Sequence, residues 1–150
     1  MKSHLTTTLL LALTVLTGCA IAPDQYGSLQ PGAQNAAWKN LGVTPSGNIM
    51  NELDELSIRR QGNRVTFRDR KTIFNLKKED FQGSPRHKTS INTWEIDCAR
   101  QTYRLQTMSL FDENGRLITR YSYSDRDLPA TPITANTASH YQMKQVCPNR

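Results

Sequence analysis

Three cysteines carry the most reactive side chains of this 150-residue sequence: Cys19, Cys98 and Cys147. A thiol in a protein can be oxidised to a disulfide, ligate a metal ion or be modified covalently. No histidine stands at metal-ligand spacing from Cys98 or Cys147. An odd number of cysteines leaves one thiol unpaired in an oxidising compartment unless that thiol is modified. We therefore expect one of the three cysteines to be modified or to remain a free thiol.

The first cysteine follows an export signal. A short basic start at residues 1–4 and an apolar run at 9–16 precede it, and this run is too short to span a membrane. Residues 16–19, Leu-Thr-Gly-Cys, resemble the lipobox of bacterial lipoproteins, which implies cleavage before Cys19 and its acylation with three chains in all. Ala20 after the cysteine resembles lipoproteins sorted to the outer membrane. An ordinary cleaved signal is the alternative interpretation.

With Cys19 acylated, Cys98 and Cys147 remain as a pair. We expect them to form a disulfide, which in the chain-entropy model would stabilise the fold by about 4 kcal/mol. That is a large share of the total stability of a domain of this size. A reduced pair and a metal site are the alternatives.

The residues that usually carry catalysis form no recognisable constellation. His87 lies in a basic loop and His140 on a predicted helix, and no nucleophile motif surrounds either of them. Glu113 falls in a turn, and Glu95 and Asp97 lie on the polar face of a strand, so a glycosidase-like carboxylate pair has no support. The sequence has no glycine-rich phosphate loop and no calcium loop. We expect no enzymatic activity, no cofactor and no metal.

The strongest surface signal is a cationic segment. Between Arg59 and Lys88 there are ten Lys or Arg against three Asp or Glu, in a chain of formal net charge +6. One interpretation is a solvated strand face, since like charges keep an edge strand from aggregating. The other is a contact surface for sulfated matrix glycans, acidic patches of host proteins or lipopolysaccharide, because the compartment disfavours nucleic acid. The candidate binding residues are Arg64, Arg68, Arg70, Lys71, Arg86 and Lys88.

Residues 94–124 form the clearest folding unit. Within 103–111 and 117–123 the larger apolar residues share one parity, which predicts two strands. A three-residue loop with Gly115 in the left-handed region joins them. The opposite parity of the preceding apolar residues predicts a bulge or strand end at 99–101. The pairs predicted across the hairpin are Phe111 with Leu117, Thr107 with Tyr121, and Leu105 with Tyr123.

Further strands are predicted before this unit. An alternating edge strand begins at Trp38, and residues 47–60 favour a strand with a turn at 54–55. A tight connection at 61–63 leads to a strand at 64–74, whose apolar residues alternate with arginines.

The remaining segments predict loops and one helix. Residues 77–89 form a polar loop, and 125–134 cross over without regular structure. Residues 139–142 have the spacing of a capping box that begins at Ser139. The residues on one face of the resulting short helix are Met143, Val146 and Cys147.

A small apolar group lies on the second face of the predicted hairpin. Met108, Leu110 and Ile118 cluster near its tip. If the helix covers the aromatic side, this group is a homodimer contact or a protein-binding patch. The alternative is that it forms core under the loop at 77–89.

The domain resembles the surface-adhesin protein E family of Gram-negative lipoproteins, roughly from Trp38 to Cys147. The resemblance implies an α+β fold, in which an antiparallel sheet of about five to six strands carries a disulfide-linked C-terminal helix. For the founding kind of the family it also implies binding to host matrix and serum proteins. The residues that carry the resemblance are Asp54, Ser57, Ile58, Gly62, Asn63, Asp97, Cys98, residues 111–115 (Phe-Asp-Glu-Asn-Gly), Val146 and Cys147.

We therefore expect a signal peptide at 1–18, a lipidated flexible tether at 19–37 and a domain at 38–150. The predicted function is that of a non-catalytic binding module at the outer membrane, of the adhesin kind, with a homodimer as one arrangement. The alternative is a periplasm-facing structural or accessory lipoprotein in envelope maintenance or assembly. A shared scaffold does not by itself carry a shared ligand.

Overall fold

The computed structural model describes residues 35–148, so the signal sequence, Cys19 and most of the tether lie outside the described residues. The described part is a seven-stranded antiparallel sheet with one short helix, which confirms the predicted α+β class. Its elements are β1 Trp38–Val43, β2 Ile49–Gln61, β3 Arg64–Ile73, β4 Thr89–Asp97, β5 Thr102–Phe111, β6 Leu117–Ser122, β7 Thr131–Pro132 and α1 Ala138–Val146, with a 3-10 turn at Leu76–Lys78.

The first six strands form a meander in which each strand pairs with the next along the chain. The sheet therefore has two distinct ends. We call one the hairpin end, where the turns at 62–63 and 98–101 lie. The other is the loop end, where the turn at 44–48, the long connection at 74–88 and the turn at 112–116 lie. Neighbouring strands are close in sequence, so turn chemistry fixes much of the topology.

Most predicted strands and connections are confirmed. The edge strand begins at Trp38, and the two-residue turn after Gln61 leads directly into β3. The strand end predicted at 99–101 is also present, with Gln101 in the left-handed region at φ 53°. The hairpin turn holds Gly115 at φ 75° next to the predicted pairing of Phe111 with Leu117.

The helix face of the sheet is the side that carries Val65 and Phe67 of β3, and it holds the main core. These side chains and Ile96 of β4 are each 1% exposed, and Val146 of α1 is 0% exposed against them. The disulfide between Cys98 and Cys147 joins the turn after β4 to the end of α1, as predicted. Burial and the covalent link together hold a helix of nine residues that would be marginal alone.

The predicted register of β6 is wrong beyond the turn. Ile118 is an extra residue opposite the junction of Leu110 and Phe111, so Thr107 pairs with Ser122 and not with Tyr121. A bulge moves every later residue of the strand by one position.

A second bulge corrects the predicted face of β5. Leu105 lies opposite Trp94, and Gln106 is an extra residue before the next pair. The residues at 103–111 that share one parity therefore do not share one face along the whole strand. The predicted pairing of Leu105 with Tyr123 is also wrong, because the amide of Tyr123 donates to the carbonyl of Gln106 at 2.9 Å.

The bulge at Gln106 also determines where the side chains of Met108 and Leu110, at the hairpin tip, lie. Met108 pairs with Asn92, which lies on the helix face, and Leu110 is 0% exposed. Ile118 remains 40% exposed. Leu110 is thus core, and the three side chains do not form one exposed cluster.

Strand β2 is continuous where a turn was predicted. The pairing with β3 shifts between Asp54 and Arg59, so residues 55–58 form a bulge within the strand. The predicted turn at 54–55 is therefore wrong, although the chain does depart from regular pairing there.

The crossover and the helix start also need correction. The crossover is not wholly irregular, because β7 pairs with the first two residues of β5. The N-cap is Thr137 and not Ser139: the Thr137 hydroxyl accepts the amide of His140 at 3.3 Å. The Gln142 side chain, which a capping box would use, donates instead to Asp69.

Candidate binding surface

The six candidate residues do not share one surface. Four of them lie on β3, where successive side chains point to opposite sides of the sheet. Arg64, Arg68 and Arg70 therefore lie on the open face, which is the side away from α1, whereas Lys71 lies on the helix face. Arg86 and Lys88 belong to the connection at the loop end.

Arg68 is bound to a fully buried carboxylate. The Arg68 Nε donates to Asp54 Oδ2 at 3.0 Å, and its Nη2 lies in closer contact with the same oxygen. Asp54 Oδ1 accepts the amides of Ala37 at 2.9 Å and Leu56 at 3.1 Å. A carboxylate with no exposed surface requires partners of this kind. Arg68 thus neutralises a structural charge inside the sheet.

Arg70 is held by a second ion pair on the open face. Its Nε and Nη2 donate to the two carboxylate oxygens of Glu52 at 2.6 and 2.8 Å, in the bidentate geometry that arginine favours. The guanidinium also lies 4.4 Å from the ring centroid of Trp38, a cation–π contact. The side chain is 19% exposed, so little of its charge faces solvent.

Lys71 occupies the opposite side. Its Nζ lies 5.8 Å from the ring centroid of Trp94, and the residue is half-buried. Lys71 therefore cannot act with Arg68 and Arg70 on one flat ligand surface.

Arg64 is far more accessible. Its side chain is 58% exposed and its Nη1 lies 3.4 Å from Glu95 Oε1, a surface ion pair that contributes little to stability. Glu95 also accepts from Arg104 at 3.3 Å. Arg64 sits in the first row of the sheet at the hairpin end, opposite Asp97.

The connection at 74–88 carries the cations of the loop end. Arg86 is exposed, and the Nζ of Lys88 donates to the carbonyl of Phe74 at 3.1 Å. Lys77 and Lys78 are exposed on the 3-10 turn of the same connection.

An unpredicted polar cluster lies beneath α1. Asp69, 1% exposed, accepts from Asn92 Nδ2 at 2.7 Å on one carboxylate oxygen and from Gln142 Nε2 at 2.7 Å on the other. The Gln142 bond joins the helix to the sheet across 73 residues of sequence. Burial raises the pKa of Asp69, and this outweighs the lowering by Lys71 and by the two amide hydrogen bonds.

One sequence signal could have located this cluster. Asp69 has the same parity as Val65 and Phe67, so the alternation places its carboxylate on the apolar face. A charged residue on a face that packs against a helix must find hydrogen-bond donors there. Which residues supply them depends on the helix position, which alternation does not specify.

The residues that carry the family resemblance build the scaffold. The Ser57 hydroxyl donates to the carbonyl of Asp54 at 2.7 Å and accepts the amide of Arg68 at 2.7 Å, so it closes the β2 bulge. The carbonyl of Asn63 accepts the amide of Cys98 at 2.8 Å, which joins the two turns of the hairpin end.

Two further aspartates of that set organise turns. Asp97 Oδ1 accepts the amides of Ala99 and Arg100 at 3.0 Å each, and the Arg100 amide is the largest cause of the lowered pKa of Asp97. Asp112 Oδ1 accepts the amides of Asn114 at 2.9 Å and Arg116 at 2.8 Å, and its pKa is lowered chiefly by the latter. Both carboxylates stabilise the backbone of a tight turn.

Two negative findings apply to residues 35–148. No group of three or more His, Cys, Asp or Glu side chains is arranged to hold a metal ion in this part of the chain. Within the same residues, no helix has the length and apolar character that crossing a membrane requires.

Comparison with known proteins gives one match. No curated protein and no solved structure matches the chain. The family model described as surface-adhesin protein E matches residues 38–148, which include every strand and the helix described above. The match covers well over half of the sequence, and it suggests an adhesin-type protein of the cell surface or envelope. The chain belongs to the surface-adhesin protein E family.

Proposed function

We propose that this protein is a non-catalytic adhesin-type module, anchored in the outer membrane through acylated Cys19 and a tether at 19–37. Its domain, predicted at 38–150, binds anionic sites on host matrix or serum proteins, or sulfated glycans. Its membership of the surface-adhesin protein E family supports the general class. The ligand surface is argued below from charge and position.

The observation that carries the proposal is the position of the loop-end cations relative to the tether. Chain direction in β1 runs from Trp38 toward the turn at 44–48, so residues 35–37 enter the strand from its hairpin-end side. Lys77, Lys78, Arg86 and Lys88 lie at the opposite end, in the connection at 74–88. A protein tethered at one end presents the other end to partners outside the bilayer.

The internal ion pairs narrow the contact surface. Arg68 and Arg70 already bind Asp54 and Glu52, so their substitution would disturb the sheet before it tested a ligand. Loops on a rigid sheet are common binding elements, because they vary without loss of the scaffold. Arginine and lysine in such a loop attract sulfate and carboxylate groups over about a Debye length, with a strong dependence on salt.

The test is solid-phase binding to heparin, vitronectin and laminin. We expect the quadruple change of Lys77, Lys78, Arg86 and Lys88 to Ser to lower retention on heparin about tenfold or more at low salt, and the wild-type signal to fall as salt rises. The matched control removes the same number of charges at four exposed arginines outside this connection, Arg64, Arg100, Arg120 and Arg126, each changed to Ser, and should retain most of the binding. Equal retention of both variants on all three ligands would remove the loop end from consideration.

Location is tested separately. Protease shaving of intact cells should remove the domain, because a host-binding module must lie outside the outer membrane. A domain that survives until the outer membrane is opened instead fits the periplasm-facing structural alternative. Intact mass of the purified protein reports acylation at Cys19 independently of both results.

A further inference from the structure

Four arginines are gathered at the hairpin end. Arg59 and Arg60 close β2, Arg64 opens β3, and Arg100 lies in the turn at 98–101. All four are exposed. The two turns lie side by side, joined by the bond from the Cys98 amide to the Asn63 carbonyl. Arg59 pairs with Thr66 and lies toward the open face, whereas Arg60 pairs with Val65 and lies toward the helix face, so the four charges flank the end of the sheet and do not share one face.

The carboxylates that pair with Arg64 and Arg100 are less exposed than the arginines themselves. The side chain of Arg64 is 58% exposed and that of Arg100 is 79% exposed, whereas Glu95 and Asp97 are only 19% and 18% exposed. The ion pairs they make, at 3.4 and 3.9 Å, are of the weak surface kind. A flat anionic surface that approached the hairpin end would therefore meet guanidinium groups first.

The tether enters the domain beside these arginines. Asn35, the first described residue, lines an open-face cleft of about 310 Å³ together with Arg59 and Leu56. Leu56 projects from the β2 bulge and is 57% exposed. Fifteen residues separate Asn35 from Cys19, and if they form the predicted tether, their root-mean-square span is roughly 20 Å. An acylated Cys19 would thus keep the hairpin end close to the leaflet.

We propose that the hairpin end is a membrane-facing surface that rests on the anionic, phosphate-bearing headgroups of the leaflet holding the acyl chains. The four arginines pair with headgroup phosphates, and the exposed side chain of Leu56, beside Arg59, contacts the membrane interface. This docking rests on the lipid anchor of the proposed function, and it adds an orientation: with the hairpin end against the bilayer, the loop end points outward. The partner is chosen by charge complementarity and by the position of the tether.

The test uses the acylated full-length protein reconstituted in nanodiscs of phosphatidylcholine, with or without one third phosphatidylglycerol. Hydrogen exchange is followed in the peptides that contain residues 61–64 and 98–102. We expect exchange there to slow about fivefold or more in the anionic discs, with the difference lost in half-molar salt. Peptides from 74–88 should exchange at the same rate in both discs.

Two variants keep the test independent of folding. Changing Arg59, Arg60, Arg64 and Arg100 to Gln should abolish the lipid dependence. Because Arg60 Nε also donates to the carbonyl of Val146 at 3.2 Å and Arg59 Nη1 to the carbonyls of Leu56 at 2.8 Å and Ile58 at 3.1 Å, a milder variant carries only Arg64→Gln and Arg100→Gln, whose ion pairs are exposed, and should lose about half of it. The matched control is Arg86→Gln with Lys88→Gln, which should keep the full effect.

The outcomes separate this inference from the function it rests on. Equal exchange in the two kinds of disc, for protein shown by mass to be acylated, overturns the docking and leaves the anchor intact. If hydrogen exchange slows in the peptides from 74–88 instead, the loop end faces the membrane, and the proposed docking is overturned as well. If the protein is not acylated, both the anchor and the docking are refuted, whereas loss of heparin binding alone affects neither.

Discussion

Asp54 and Asp69 are both buried in the middle of the same sheet, yet they are stabilised in different ways. Asp54, on the open face, is neutralised by Arg68 and two backbone amides. Asp69, on the helix face, is held by the side-chain amides of Asn92 and Gln142. The comparison shows that some of the cations in the sequence form ion pairs within the sheet and are not available to a partner. Of the six candidate residues, Arg64 and Arg86 remain exposed, and they lie at opposite ends of the sheet.

The difference also separates two structural tasks. The Arg68 pair fixes β2 against β3 and anchors Ala37, where the chain enters the sheet. The Asp69 cluster fixes α1 to the sheet. Each task can be disturbed by one substitution, and the expected effects differ in size and in pH dependence.

The largest effect is expected from Arg68→Ala. This change leaves the Asp54 carboxylate buried without its charged partner, and breaking a buried pair typically costs about 3–5 kcal/mol. Urea unfolding at neutral pH, with the disulfide intact, measures the loss. Arg64→Ala is the matched control: its ion pair is exposed, so we expect a change of about 1 kcal/mol or less. Similar losses in the two variants would contradict the structural role of Arg68.

A smaller loss is expected from Gln142→Ala, which removes one of the two side-chain amides that bind Asp69. Hydrogen bonds to charged groups contribute about 1.5–3 kcal/mol, and alanine itself favours the helix. Gln145→Ala on the same helix is the control, since Gln145 is exposed and accepts only at the surface from Lys39, at 2.7 Å. It should change the free energy of unfolding by about 0.5 kcal/mol or less. A reversed order of the two would refute the cluster.

The pH dependence of stability gives a further test of the Asp69 cluster. The pKa of Asp69 is raised above 3.8 by burial, so its stabilising contribution is complete below the unfolded value and is lost as pH rises through the folded value. Compared with Asp69→Asn, the wild type should therefore gain stability as pH falls from neutral toward 3.8. The slope for one proton is at most about 1.4 kcal/mol per pH unit.

The difference between the two proteins isolates this group. Asp97 and Asp112, whose pKa values are lowered, contribute stability that is lost at acid pH, but they contribute equally to both proteins and cancel. Chemical denaturation at several pH values gives the difference directly. If the free energy of unfolding of the wild type minus that of Asp69→Asn stays constant or falls on acidification, Asp69 is not buried as described.

The smallest effect is expected at the helix start. Thr137→Ala removes the hydroxyl that caps α1 and should cost about 1 kcal/mol. Ser139→Ala, at the position that the capping-box pattern favours, should cost only a few tenths because Ser139 lies within the first turn. Thermal unfolding of the pair decides which residue is the cap.

The sequence predicted the first six strands, the C-terminal helix and the pairing of Cys98 with Cys147, because alternation and cysteine count are local or countable signals. It did not predict the bulges at Gln106 and Ile118. Neither position carries a glycine or another residue that marks a bulge, and the shift follows from pairing with the neighbouring strand. The predicted face of each later residue was consequently reversed.

The candidate surface was harder to predict for a related reason. A run of arginines states how much charge is present, but not how much of it is neutralised within the fold. Arg68 and Arg64 look alike in the sequence, and only the register with β2 brings the first one opposite Asp54. In the same way, the capping-box spacing does not show that α1 begins at Ala138, with Thr137 as its N-cap, or that the Gln142 side chain donates to Asp69.

The nine-residue helix follows all seven strands in the sequence, yet it covers the strands nearest the start of the domain: Gln145 reaches Lys39 across 106 residues of sequence. None of the strand pairs that the structure describes involves a residue after Pro132. A variant truncated just before Ala138 keeps every residue of the sheet but leaves Val65 and Phe67 without their cover and Cys98 without its disulfide partner. Loss of this short segment should therefore destabilise a sheet to which it contributes no strand.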